Sequence, residues 1–190
     1  GKTLMIKILD FIKIDINQLQ EETTTLFSRP GITHPLVSNQ IGLTYADDKC
    51  KNKFQDGIGS LEFNYLEWDN DVNTPIPLST RQLREEDFCK IVPEIKDLYL
   101  GTIVKKLQEK YNVGRTRLMK SYPKTCLSWH YDSTPRIHIP ITTNPTCFMV
   151  WKNVTRHLEA GNVYWVDTTV SHTAMNASFD ERVHLVATVN

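Results

Sequence analysis

The 190-residue sequence carries no surplus of charge: 22 Lys and Arg stand against 22 Asp and Glu. Polyanion binders usually show a basic excess or stripe. None is present, so nucleic acid is not expected as a partner. No apolar run approaches the roughly 20 residues that cross a bilayer, and no membrane association is expected. The opening Gly1-Lys2-Thr3-Leu4-Met5 lacks a basic stretch followed by a long apolar one, so no secretory leader is expected. Cysteine is sparse. Cys50, Cys89, Cys126 and Cys147 are widely spaced with no Cys-x-x-Cys pair, which argues against a structural zinc cluster. Four thiols in a reducing compartment is the expectation, and with it a cytoplasmic location.

What is there suffices for a core. At 40% hydrophobic and 23% charged residues, the chain reads as one folded domain over 1–190. Charge is unevenly spread: residues 1–114 hold 14 basic and 17 acidic groups, and residues 115–190 hold 8 and 5. The first part reads as mixed α/β support with substrate-side elements. Met5 to Ile14 is β-prone. Asp15, with Gln18 at the capping-box position, predicts a helix over Asn17–Phe27. Short strands are predicted near Gln40–Tyr45 and Leu61–Trp68. Ser79 with Gln82 predicts a helix to about Lys90. The apolar spacing of Val92, Ile95, Tyr99, Ile103, Leu107 and Tyr111 predicts a helix over Val92–Asn112, stopped at Gly114.

From Arg115 the pattern changes to short extended runs: Thr116–Tyr122, Cys126–Tyr131, Arg136–Thr142, Thr146–Trp151, Thr155–Leu158, Asn162–Asp167, Ser171–Met175 and Arg182–Val189. Eight strands at this spacing suggest a β-sandwich or jelly roll. The fold class expected is mostly β with flanking helices.

Chemistry concentrates in Ser128-Trp-His-Tyr-Asp132. On an extended strand His130 and Asp132 project to one face. With a second histidine they would form the two-histidine, one-carboxylate set that suits non-haem iron(II) and leaves coordination positions open. His172, after the strand ending at Asp167, is the candidate. Ten residues on lies Arg182, whose planar fork suits a bound dicarboxylate. Arg136 and His138 share the parity of His130 and Asp132. Trp129, Tyr131, Trp151 and Trp165 read as packing residues, His184 as a satisfied core histidine, Asn176 as a loop-positioning residue, and Glu85-Glu-Asp87 as a solvated helix face. Gln40, Trp68, Asp69 and Asn70 read as surface or packing residues, with the lining of a site mouth as the alternative.

Three spaced segments carry a resemblance: Arg136-Ile-His-Ile-Pro-Ile-Thr-Thr-Asn144, Glu159-Ala-Gly161 to Asp167, and His172-x-x-x-Asn176-x-Ser178-x-x-x-Arg182-x-His184-Leu-Val. Residues 115–189 resemble the aspartyl/asparaginyl β-hydroxylase family of iron(II)- and 2-oxoglutarate-dependent oxygenases. The resemblance implies a double-stranded β-helix (jelly-roll, cupin-like) core over 115–190. It implies iron held by His130, Asp132 and His172, with Arg182 on the distal carboxylate of 2-oxoglutarate and Arg136 and His138 at its other end. It also implies O2 as the oxidant and hydroxylation of an unactivated C–H bond, with release of succinate and carbon dioxide. The substrate would be an amino acid, free or in a peptide or protein. The sequence departs from the family at two points. It keeps Asp132, where the best-studied animal members lack the carboxylate ligand, and a serine that holds 2-oxoglutarate in some members aligns with Met119, with Ser121 as a substitute on the same face. The competing reading is a jelly-roll module that binds metal or ligand without turnover.

Overall fold

Asp15 starts the first helix as its spacing predicts: its Oδ1 accepts from the Gln18 amide at 3.1 Å, and helix α1 runs Ile16–Ser28. The computed structural model describes residues 4–61, 63–69, 74–77 and 82–190, with side chains outside 63–69 and 74–77. Among them, the chain before 115 forms strands β1 (Ile6–Ile8), β2 (Gln40–Gly42), β3 (Thr44–Tyr45), β4 (Phe63–Asp69), β5 (Thr74–Pro77) and β6 (Lys90–Ile91), and helix α2 (Tyr99–Tyr111). Ser79 and Asn70 lie outside the described residues, as do the side chains of Trp68 and Asp69.

The predicted helix over Val92–Asn112 is shorter than its periodicity. Pro93–Ile95 makes one 3-10 turn, and α2 begins only at Tyr99. The Glu22 carboxylate of α1 accepts from the Tyr99 and Leu100 amides at 3.0 and 2.9 Å, satisfying donors that a continuous helix would have used internally. Asn112, in the left-handed region at φ 50°, ends the helix. Gly114 lies beyond that stop, in the first strand of the core. A Cβ on it would come within 2.5 Å of the Glu85 carbonyl oxygen, so its role is close approach. The helix predicted from Ser79 to Lys90 is also absent over its described part: Glu85–Asp87 is a 3-10 turn and Lys90 already belongs to β6.

From Val113 the eight predicted strands form: β7 (Val113–Ser121), β8 (Thr125–Cys126), β9 (Arg136–Thr142), β10 (Cys147–Trp151), β11 (Val154–Arg156), β12 (Tyr164–Val166), β13 (His172–Asn176) and β14 (Arg182–Val189). They divide between two antiparallel sheets, switching sheet at every step except from β10 to β11. One has the order β1-β12-β9-β14-β7-β2, the other β11-β10-β13-β8. This is the jelly roll expected. Period-2 alternation gives the six-stranded sheet two unlike faces. Leu118, Ile137, Ile139, Ile141, Leu185 and Ala187 face outward into the main core with Leu19 and Leu26 of α1 and Leu100, Ile103 and Leu107 of α2. Each such Leu or Ile contributes about 1.5–3 kcal/mol by leaving water. The opposite face, turned toward the second sheet, carries Arg117, Met119, His138, Arg182 and Val186. The helices hold the sheet from behind, so this polar inner face stays open for a site.

Candidate active site

The strand predicted over Cys126–Tyr131 stops at Cys126, yet pairing continues in isolated steps. The His130 amide donates to the His172 carbonyl at 3.0 Å, the His172 amide returns the bond at 2.8 Å, and the Asp132 amide donates to Thr168 O at 2.8 Å. These backbone bonds bring His130, Asp132 and His172 together. Their ligand atoms lie within 4.8 Å of one another, and His172 Nε2 stands 4.0 Å from Asp132 Oδ2. Both imidazoles are oriented by a carbonyl two residues back: His130 Nδ1 lies 2.7 Å from Ser128 O and His172 Nδ1 2.9 Å from Val170 O. A carbonyl can only accept, so each Nδ1 carries the proton and each Nε2 keeps its lone pair for a metal. Burial lowers the His172 pKa, which favours the neutral, ligating form.

Asp132 is held from its other side. Burial pushes its carboxyl up, but the charge and hydrogen bond of Arg136 outweigh this and hold it below the usual range. Arg136 Nε donates to Asp132 Oδ2 at 3.3 Å, Nη1 to Thr134 Oγ1 at 3.3 Å and Nη2 to Glu85 Oε1 at 3.4 Å. Arg182 and His138 also reach the inner cavity, a space of about 100 Å³ shared with the three possible ligands. Arg182 Nη1 donates to His184 Nδ1 at 3.2 Å. His184 Nδ1 is thus an acceptor, so the His138 Nδ1–H, 3.0 Å away, points at it as well. Arg182 Nε is buried and has no partner among the described residues. Ser121 lies across from Arg182 in register at the end of β7, while Met119 forms the cavity wall.

The structure adds a group of charges that the sequence reading missed. Glu85, expected on a solvated helix face, is turned inward, its side chain only 13% exposed. Its carboxylate takes a bidentate pair from Arg115, Nε–Oε2 2.6 Å and Nη2–Oε1 2.9 Å. Burial raises its pKa and Arg115 more than reverses this. Arg115 and Arg117 follow the same inward parity as Met119, which was the available signal: two arginines alternating with Thr116 and Leu118 in a strand. Arg117 is bound by Gln40, whose Oε1 also accepts from the Gly59 amide. An outer cleft of about 1100 Å³ opens beside these residues and shares Arg117, His130, Asp132 and Arg136 with the inner cavity.

Removing Glu85 leaves buried arginine charge uncompensated. Glu85→Gln is expected to cost about 3 kcal/mol, a fall of about 6–12 °C in melting temperature for a chain of this size. A scanning calorimetry comparison checks it.

His138, with a pKa pushed down to about 3 by burial and by Arg182, and His184, held well below its ordinary value by burial and by Arg182, are neutral when folded. Unfolded they protonate near pH 6.5. The unfolded chain therefore binds more protons, and stability present above pH 6.5 is lost as pH falls. The expected slope below pH 6 is about 2–3 kcal/mol per pH unit for two such groups. Urea midpoints of metal-free protein between pH 7 and pH 5 measure it; a flat profile contradicts the neutral pair.

Other expectations resolve plainly. His184 is a hydrogen-bonded core histidine. Asn176 ties the loop, donating to Ser121 O and Asp180 O. Trp151 is buried and its Nε1 donates to Asp167 O. Trp129 and Tyr131 do not pack: they are 53% and 73% exposed, because the parity that turns His130 and Asp132 inward turns them to solvent. No disulfide joins the cysteines. No helix among the described residues is long and apolar enough to cross a membrane.

Residues 45–190 match the family model for aspartyl/asparaginyl β-hydroxylase. No curated protein matches the chain. Among solved structures, a 2OG-Fe(II) oxygenase family oxidoreductase from Burkholderia pseudomallei is similar over 97% of this chain and 83% of its own, at 12% identity and TM-score 0.49. AviO1 from Streptomyces viridochromogenes is similar over 90% and 82%, at 12% identity and TM-score 0.41. A cupin domain from Bordetella pertussis matches 40% of this chain and 80% of its own, at 24% identity and TM-score 0.36. The family match spans well over half the sequence, from β3 to the final residue: the chain belongs to the aspartyl/asparaginyl β-hydroxylase family and is an oxidoreductase of the oxygenase kind.

Proposed function

We propose that this chain is an iron(II)- and 2-oxoglutarate-dependent dioxygenase that hydroxylates an unactivated C–H bond of an amino acid, free or within a peptide or protein. One observation carries the reading: a His–Asp–His cluster with both Nε2 lone pairs available shares a small cavity with a buried arginine whose Nε has no partner among the described residues. The donor set is two imidazoles and a carboxylate, which suits iron(II) and leaves positions for further ligands. The unpartnered Arg182 edge suits a carboxylate. Both groups therefore fit the residues present.

His130, Asp132 and His172 would hold the iron, and Arg182 the far carboxylate of 2-oxoglutarate. Arg136 keeps Asp132 ionised and aimed, and His138 lines the metal end. When bound, iron(II), 2-oxoglutarate and O2 supply an oxidant for a C–H bond, with succinate and carbon dioxide released. The protein's own part is orientation and exclusion. Met119, Leu127, Met149 and Val186 line the cavity with apolar surface that keeps water from the reacting centre. The larger cleft outside admits a substrate side chain carried on a longer molecule. Gln40 and Glu85 come from the first part of the chain and bind the arginines of the second, which supports a single oxygenase unit over 1–190.

The test is a screen of amino acids and short peptides with iron(II) and 2-oxoglutarate, read by mass spectrometry for a gain of one oxygen. A product that appears only with both additions supports the proposal. Ligand binding without any oxidised product, and without succinate, would favour the non-catalytic module.

A further inference from the structure

Arg117 is the one buried arginine of the inner face that lines both the inner cavity and the outer cleft while leaving its Nε without a partner among the described residues. Both of its hydrogen bonds leave from Nη1, to Gln40 Oε1 at 3.0 Å and to Gly59 O at 3.3 Å. The edge that remains, Nε with Nη2, is the one that grips a carboxylate through two parallel bonds. Its neighbour Arg115 shows that geometry already filled: the same two nitrogens hold Glu85 at 2.6 and 2.9 Å. Arg117 thus presents the fork that Arg115 has satisfied. Burial, and then the charge of Arg115, lower its pKa well below the usual value, the mark of a guanidinium short of counter-charge.

Its position separates it from Arg182. In register, Arg117 faces Val186, and Val186 faces His138, so the three stand in one row across the sheet. Arg182 pairs with Ser121, four residues further along β7. Arg117 therefore stands at the end nearest Arg136 and Asp132. The other cationic and imidazole groups at that end are engaged. All three nitrogens of Arg136 are bonded within the protein, and the His138 Nδ1–H is directed to His184. Charge points the same way. Among the described residues, the carboxylates that hydrogen-bond Arg115, Arg117, Arg136 and Arg182 are Glu85 and Asp132, on Arg115 and Arg136.

We infer that Arg117 receives a carboxylate at the metal end of the cavity, as a second anion fork besides Arg182. Two sources share this chemistry: the keto-acid end of the cosubstrate, or a carboxylate on the primary substrate entering from the outer cleft. The choice between them rests on the oxygenase proposal, but the binding itself does not require turnover.

Two variants test it, Arg117→Gln and Arg117→Lys, each checked for wild-type melting behaviour. Calorimetric titration in the presence of manganese(II) reads 2-oxoglutarate affinity. A second titration with 2-oxoglutarate saturating reads L-aspartate against L-asparagine. The expected result is a loss of about tenfold or more in one arm for Arg117→Gln, with partial recovery in Arg117→Lys, since a point charge restores attraction but not the fork. A loss in the first arm assigns the cosubstrate end, and a loss confined to L-aspartate assigns the substrate. Unchanged affinity in both arms overturns the inference, whatever the turnover screen finds. Should the variants misfold, wild-type crystals soaked in both acids decide it. A carboxylate on the Nε edge of Arg117 supports the assignment, and a filled cavity with that edge vacant overturns it.

Discussion

His172→Ala is expected to remove iron-dependent turnover and to weaken metal binding by about a hundredfold or more, since losing even an outer hydrogen-bond partner of a metal ligand costs about 10–100-fold. The reason is positional. His172 lies in β13, pairs with Trp151 of β10, and exchanges two backbone bonds with His130. The backbone is fixed by the ladder, so the substitution deletes one ligand without dispersing the other two. Its Nδ1 is committed to Val170 O, and among the described residues the ligand cluster holds no imidazole besides His130 and His172. The variant should stay folded, because the side chain contributes to the cavity and not to either apolar cluster. Iron titration together with a melting curve separates a lost ligand from a lost fold. Full activity in the variant contradicts the ligand set.

Arg182→Ala is expected to weaken 2-oxoglutarate by about 30-fold to 4000-fold, the equivalent of about 2–5 kcal/mol for truncating one partner of a buried charge pair. Iron affinity should change by no more than about threefold, because Arg182 sits at the far end of the cavity from Asp132 and makes no contact with the three ligands. Burial has already lowered its pKa to about 10, and a bound carboxylate would reverse that loss. Arg182→Lys should recover only part of the affinity, because an ammonium cannot serve His184 and both carboxylate oxygens in one plane. Equal loss of iron and 2-oxoglutarate would count against the division of roles. Calorimetry with manganese(II) measures both.

Much of this architecture was legible because strand alternation is a local property. The predicted spans Arg136–Thr142 and Arg182–Val189 match β9 and β14 residue for residue, and both open with a functional residue at every second position, Arg136 and His138 in one and Arg182 and His184 in the other. Asp15 was legible because a cap needs only its own helix. What escaped depended on distant partners. The start of α2 is set by Glu22, 77 residues before Tyr99, and no periodicity within 92–112 contains that information. Glu85 stands in an acidic run that resembles a solvated face, and only Arg115, 30 residues on, draws it inward. The short strand before His130 was over-extended for a related reason. The pairing there passes through single residues, His130 with His172 and Asp132 with Thr168, and not through a continuous ladder. Trp129 and Tyr131 had the right parity but the wrong surroundings: among the described residues nothing covers that outer face, so opposite parity meant solvent. The candidate ligands were legible by type and phase, whereas the arginine cluster around them needed the assembled sheet.

The most direct measurement is succinate formation from 2-oxoglutarate by the purified chain under air, with and without iron(II), and with His172→Ala alongside. Succinate that requires both iron and His172, and that rises when a true substrate is added, is the predicted result. Tight binding of iron and 2-oxoglutarate with no succinate under any of these conditions would contradict the oxygenase mechanism and leave only a binding module on a jelly-roll frame.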